Sequence, residues 1–311
     1  MMDWISLLEL GVRHAAPILL IAMGCLLAQK VSIFNLALEG FTLFSCFFAV
    51  VGAFVFKNVW MGVLCGVLAG VLTAVIYSVF ILQLQVNPVI CALSINTLVT
   101  GLTRYLLKPI FNTSGRFVMP SALALPTIHI GFLDSIPVVS VLNNKSVLVY
   151  LSLLLPFILY YVLFHTEFGL NMRITGLNEE AALAAGVNTK KVKYTALLLN
   201  GALCGLAGAE LALSVYMFNV GMTNGRGFTA LAAVTLAGAH PLVALGTCML
   251  FGVSESLSIQ LSTSGYSAYL LGAIPYAMAL TAALLPRIIR LVSNNMKKKS
   301  AERQAIELHS N

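Results

Sequence analysis

The sequence predicts an all-α protein. It reads as a polytopic transmembrane helical bundle of about eight to ten spanning or broken helices, since a bilayer core takes ~20 apolar residues per crossing. Three observations carry this. Hydrophobic residues make up 59% of the chain and charged ones only 9%, where a soluble domain carries about a quarter charged. The mean hydropathy is +0.93. Apolar runs recur from Leu8 to Pro286, which leaves no room for a sizeable soluble domain. Residues 1–293 read as the transmembrane domain and 294–311 as a polar cytoplasmic tail.

The apolar runs lie near 8–29, 36–56, 59–82, 88–107, 147–164, 195–217, 228–239, 242–260 and 268–288. No basic residue precedes Arg13, an expectation against a cleaved signal peptide. The stretch 31–40, with Asn35, Glu39 and Gly40, is polar for its place. The run 228–239 is too short for a full crossing and is followed by Pro241. It predicts a broken or re-entrant helix, which is tolerated only against protein or a water-filled cavity. Gly201-x3-Gly205 is a pattern that lets helices approach closely. No strong internal repeat is visible. The segment 110–146, with Pro120, Pro126 and Pro137, predicts an ordered external loop with short surface helices.

Charge sets the orientation. Most lysines and arginines lie at Lys30, in the loop 165–194, and in the tail beyond Pro286, as cytoplasmic loops do. Counting crossings from that loop through 195–217, 228–239, 242–260 and 268–288 returns to the same side. The same alternation places 110–146 and the N-terminus outside. Arg104, Lys108, Arg116 and Lys145 then lie outside, against the trend. The net charge of +7 therefore follows from the loops and does not point to nucleic acid. All six cysteines sit in apolar runs without CxxC spacing, so they read as small core residues rather than disulfides or metal ligands. The five histidines are scattered, with no HExxH. No GxxxxGK[ST] phosphate loop occurs. These absences argue against a membrane-embedded enzyme.

The loop 165–194 holds the most specific local feature. Asn178 is a good N-cap. Glu179 and Glu180 follow in the first turn, where the helix dipole favours carboxylates. Ala181, Ala182, Ala184 and Ala185 are strong helix formers, and Gly186 can take the left-handed position that ends a helix. The pattern predicts a short cytoplasmic helix whose small side chains suit a groove on another protein.

These residues also carry a resemblance. Glu180-Ala181-Ala182, three residues, then Gly186 resembles the EAA-type coupling segment of ABC transporter permeases. Gly169 to Lys193 is similar to the corresponding loop of the ribose/branched-chain-amino-acid type of importer permease. Phe34-Asn35-Leu36-Ala37-Leu38-Glu39-Gly40 resembles the FN-(I/L)-x-x-EG segment of simple-sugar and nucleoside permeases. Gly225-Arg226-Gly227-Phe228-Thr229-Ala230-Leu231-Ala232-Ala233-Val234 resembles their GxGF-x-x-(I/L)AV segment. With His240-Pro241, the match spans roughly residues 8–290. The forms NLALEG and GRGFTALAAV look nearest to nucleoside-uptake permeases, and to the shorter of the two that pair. The resemblance implies a permease subunit in the plasma or inner membrane, paired with a second, different permease. It implies two cytoplasmic ATPases seated on Asn178, Glu179, Glu180, Ala181, Ala182 and Gly186. It also implies an external substrate-binding lipoprotein or periplasmic protein. ATP and magnesium would then belong to the partner ATPase, with no cofactor on this chain and no catalytic residue.

Polar groups inside apolar runs are candidates for the translocation pathway, because they usually face a cavity or a partner. The acidic ones are Glu39, Glu210 and Glu255. Asn35, Asn87, Asn96 and Asn200 add amides that both donate and accept, which suits the hydroxyls and ring nitrogens of a nucleoside or sugar. Phe34, Phe41 and Phe44 could stack on a ring or simply pack the core. Arg226, near the outer end, could meet an external partner or cap a half-helix. The candidate pathway set is Phe34, Asn35, Glu39, Asn87, Asn96, Asn200 and Arg226. Each could instead tie helices together, and for Glu39 both readings stand. The alternative function is a secondary transporter or channel for a small polar solute. Such a protein often carries an Asp or Arg at mid-depth, and the only aspartates here, Asp3 and Asp134, lie outside the apolar runs.

Overall fold

Helix α1 (Trp4–Lys30) is the most deeply buried of the long apolar helices among the described residues. The computed structural model describes residues 4–129, 141, 143–263 and 281. Every α1 residue from Ala15 to Ala28 is buried, as befits a helix that is apolar all round. The chain continues through α2 (Leu38–Phe56), α3 (Val59–Ser78), a π-helical turn at Val79–Gln83, and α4 (Pro88–Phe111). Then follow β1 (Arg116–Val118), β2 (Thr127–Ile128), β3 (Lys145–Ser146) and α5 (Val147–His165). The last described stretch holds α6 (Glu167–Leu177), α7 (Glu179–Ala184), α8 (Thr189–Leu213), β4 (Met217–Asn219), α9 (Arg226–Leu236) and α10 (Pro241–Thr263). Among the described residues, seven helices are long and apolar enough to cross a membrane. The run 268–288 and the tail 294–311 lie outside the described residues.

The two ends of the bundle are held differently. At the end that carries α7, the Ser32 hydroxyl donates to the Gly176 carbonyl at 2.6 Å. At the far end, β1 pairs antiparallel with β4 and β2 with β3. There Lys145 donates to Glu9 at 2.8 Å and Ser146 to Glu210 at 2.7 Å, so β3 ties the start of α1 to the end of α8. Residues of 110–146 thus share an end with the N-terminal helix start, opposite α7, as the alternation requires.

Two segments gain detail from the structure. Among its described residues, the far-end segment forms short strands and a 3-10 turn, Ser121–Leu123. Its proline-spaced backbone finds partners in β4, about a hundred residues on, which no local pattern could reveal. The 165–194 loop holds α6 and the start of α8 as well as α7. Thr166 caps α6 and Asn188 caps α8, so Lys190, Lys191 and Lys193 begin a helix instead of lying in a loop.

The packing also contains a repeat that the sequence hides. Helices α1 and α8 run side by side in opposite directions. Helix α3 lies against α8, and α10 lies against α1. Both contacts use glycine: Gly201 meets the Gly70 backbone, and a side chain on Gly252 would meet Ala15 at 2.5 Å. Each half therefore follows one plan with its sense inverted: a long helix, a break, a helix that starts beside the break, and a return helix. Gly201 and Gly205 act as their spacing predicts, letting the α3 and α8 backbones touch. All six cysteines are free, and all but Cys65 are buried.

Candidate functional site

Both breaks in the chain meet inside the bundle. The extended residues between α1 and α2 and the turns before α9 bring two helix starts together. Helix α9 then reaches the α7 end in only 11 residues, about 16 Å. Helix starts leave N–H groups without intrahelical partners, and buried ones must be satisfied. At α2, the Gly40 N–H donates to Asn96 Oδ1 at 2.8 Å, and Asn96 Nδ2 donates to the Leu36 carbonyl at 3.0 Å. Asn35 Oδ1 accepts from the Ala37 N–H at 2.8 Å.

At α9 the cap comes from another helix. Gly225 stands at the N-cap with φ 78° and no side chain of its own. Glu39 supplies the acceptors instead: Oε1 takes the Gly225 N–H and Oε2 the Gly227 N–H, each at 2.9 Å. Its carboxylate sits at the positive end of the α9 dipole. Gly227 must be glycine for this, since a Cβ would lie 2.5 Å from the Glu39 nitrogen. Arg226, between the two glycines, donates through Nη1 to the Met222 carbonyl at 3.1 Å and through Nη2 to Glu255. His14 Nδ1 lies 4.0 Å from the same Glu255 oxygen. Above this crossing, Arg13, His14, Glu210, Asn219 and Arg226 line a cavity of about 290 Å³.

The structure brings Asn35, Glu39, Asn96 and Arg226 to the two helix starts. It does not bring the other candidates there. Asn87 caps α4, accepting from the Val89 N–H at 2.9 Å, nine residues before Asn96. Asn200 is buried against Gly24 on α1, and its Oδ1 accepts from the Cys204 thiol at 3.4 Å. Phe34 is half exposed, and Phe41 packs edge-on to Tyr77 in the core. Sequence reasoning marked Gly225 and Gly227 as part of a motif but not as the amides that Glu39 caps, and it missed His14. The signal available was the G-R-G start of a short apolar helix with no capping side chain.

The second site is the shoulder at the other end. Asn178 caps α7 by accepting from the Ala181 N–H at 3.0 Å. Gly186 closes it at φ 83°. Its N–H donates to the Leu183 carbonyl and the Val187 N–H to the Ala182 carbonyl, each at 3.0 Å, a Schellman motif. The Glu179 carboxylate accepts from Lys193 at 2.6 Å, and that hydrogen bond holds its carboxyl below the usual range. Ala182 is buried, while Glu180, Ala181 and Ala185 are exposed. The small residues are not alone: Leu177 is 86% and Leu183 55% exposed. One exposed leucine therefore precedes the capped helix and the other lies on it.

Residues 7–285 match the family described as branched-chain amino acid transport system / permease component. The chain is 29% identical over 272 residues to the guanosine ABC transporter permease protein NupQ of Bacillus subtilis (strain 168), covering 83% of this chain and 84% of that one. It is 28% identical over 255 residues to the nucleoside ABC transporter permease protein NupC of Lactococcus lactis subsp. cremoris (strain MG1363), covering 79% and 80%. It is 30% identical over 261 residues to the putative glucose ABC transporter permease protein TsgC13 of Haloferax volcanii, covering 82% and 77%.

Proposed function

The chain belongs to the permease-component family of branched-chain amino acid transport systems, and from that premise we propose that it forms half of an import path for a nucleoside. It is a multi-pass membrane protein and an ABC transporter permease. The finer reading places it in the plasma or inner membrane, with α7 facing the cytoplasm. A second, different permease completes the path. Two ATPases seat on residues 178–186 and hold the ATP and magnesium. An external binding protein delivers the solute.

The observation that carries the ATP-driven reading is the α7 shoulder. A helix of 6 residues has too little length to persist by propensity alone. This one is capped at both ends, pinned by Glu179 to Lys193, and flanked by exposed Leu177 and Leu183. That is a rigid knob presented away from the bundle. A structural loop has no need of it, whereas an engine that pushes on the permease does. The choice of a nucleoside rests on the names carried by NupQ and NupC. The name of TsgC13 supports a simple sugar as a second reading.

The test is uptake by the complete transporter, reconstituted with its ATPases and binding protein. Guanosine accumulation that requires ATP is the expected result. Accumulation of glucose without guanosine would replace the substrate. Guanosine movement driven by an ion gradient with the ATPases left out would overturn the mechanism.

A further inference from the structure

Among the seven long apolar helices, α4 breaks the relation between burial and composition. Helices α3 and α5 are largely exposed and strongly apolar, as contact with lipid demands. Helix α4 is the least buried of the seven and also the least apolar. The mismatch is confined to one side. Cys91, Ile95, Val99, Thr103 and Leu107 are buried and hold α4 to the bundle. Ser94, Thr97, Gly101, Arg104 and Lys108 recur at alternating steps of three and four, and all are exposed. That spacing puts them on one continuous stripe. Cations at such positions are costly against lipid tails and need water or protein in front of them, while the Thr97 hydroxyl donates back to the Leu93 carbonyl at 2.9 Å. Beside Gly101 there is open space, with nothing within 4 Å of where a Cβ would stand. At the far end the stripe widens into a cavity of about 1030 Å³, where Arg104, Tyr105 and Lys108 stand and, among the described residues, no carboxylate contributes.

We propose that the Ser94–Thr97–Gly101–Arg104–Lys108 stripe is the wall this chain gives to the water-filled path, and that the Arg104–Tyr105–Lys108 cavity is its mouth. The inference rests on the permease reading above and names residues that none of the sequence motifs contain. Tyr105 is 72% exposed and offers a flat face on which a nucleobase stacks. Arg104 and Lys108 supply donors for ring carbonyls and ribose oxygens. Two cations without a carboxylate favour uncharged or anionic solutes over cationic ones. The midpoint, where Thr97 and Gly101 carry little bulk, leaves the solute room to pass.

The experiment uses the complete transporter in membrane vesicles, with Cys65→Ser as background and single substitutions Thr97→Cys, Gly101→Cys and Leu102→Cys, the last exposed but not three or four residues from any member of the stripe. A membrane-impermeant anionic methanethiosulfonate is the probe. Cysteines at 97 and 101 should be modified at least tenfold faster than the one at 102. Guanosine should slow that reaction, and a cationic reagent of equal size should react more slowly. Tyr105→Ala should raise the KM for guanosine roughly tenfold with kcat held, the loss of one stacked ring, and Tyr105→Phe should restore it. Equal reactivity at 97 and 102 with normal guanosine uptake would sink this inference and leave the permease reading standing. Selective labelling at 97 and 101 without any guanosine uptake would support the wall and sink the nucleoside assignment.

Discussion

Helices α9 and α7 are both short, and they are stabilised in opposite ways. Helix α7 carries its own cap: Asn178 serves the N–H of Ala181, three residues on. Helix α9 borrows its cap from Glu39, 186 residues away in the chain. One sits on the exposed shoulder, where water could satisfy a loose amide. The other sits inside the bundle, where the Gly227 amide is buried. The difference teaches where each helix gets its permanence. Helix α7 is a local structure that tolerates being pushed, and α9 exists only as part of the assembled core.

Substitutions can break this contrast or sharpen it. The largest effect belongs to Glu39→Ala, which leaves the Gly225 and Gly227 amides without acceptors, at ~1–3 kcal/mol each. Uptake should vanish and the detergent melting temperature should fall. Glu39→Gln keeps one acceptor and should fall between. If Glu39→Gln melts like the parent yet cannot transport, Glu39 meets the solute and its capping role is incidental. Gly186→Trp comes next. A side chain there is forced into the left-handed region, at ~1–2 kcal/mol, and it obstructs the shoulder. Stimulation of ATP hydrolysis should drop while the chain stays inserted and its melting temperature falls by only a few degrees. Unchanged stimulation would remove α7 from the coupling path. Glu179→Gln should do least, because its exposed pair with Lys193 contributes at most ~1 kcal/mol. The folded carboxyl ionises below its unfolded value, so the pair's contribution is complete above the unfolded value and fades as pH drops through the folded one. Parent and Glu179→Gln should therefore differ at pH 7 and converge in acid, as read by melting temperature.

What could be read in advance follows the same divide. Helix α7 was legible because its signals, from Asn178 through Glu179 to Gly186, lie within nine residues and act on each other. The long helices were legible because lipid demands continuous apolar runs. The Glu39 cap was not legible as a cap. A glutamate in a polar stretch and a G-R-G before a short helix each look incomplete, and only the fold shows that one completes the other. The inverted repeat was hidden for a related reason. Backbone proximity through Gly70 and Gly201, or Gly252 and Gly11, asks for smallness and little else, so the two halves share geometry with few shared letters. The stripe on α4 was written in the sequence, but its meaning needed exposure to be known: Thr97 and Gly101 could equally have packed inward.

One carboxylate grips the heads of two rods that point opposite ways. Prying them apart would cost the Gly225 and Gly227 amides both of their acceptors at once. On the import reading proposed above, α2 and α9 would therefore move together, as one block.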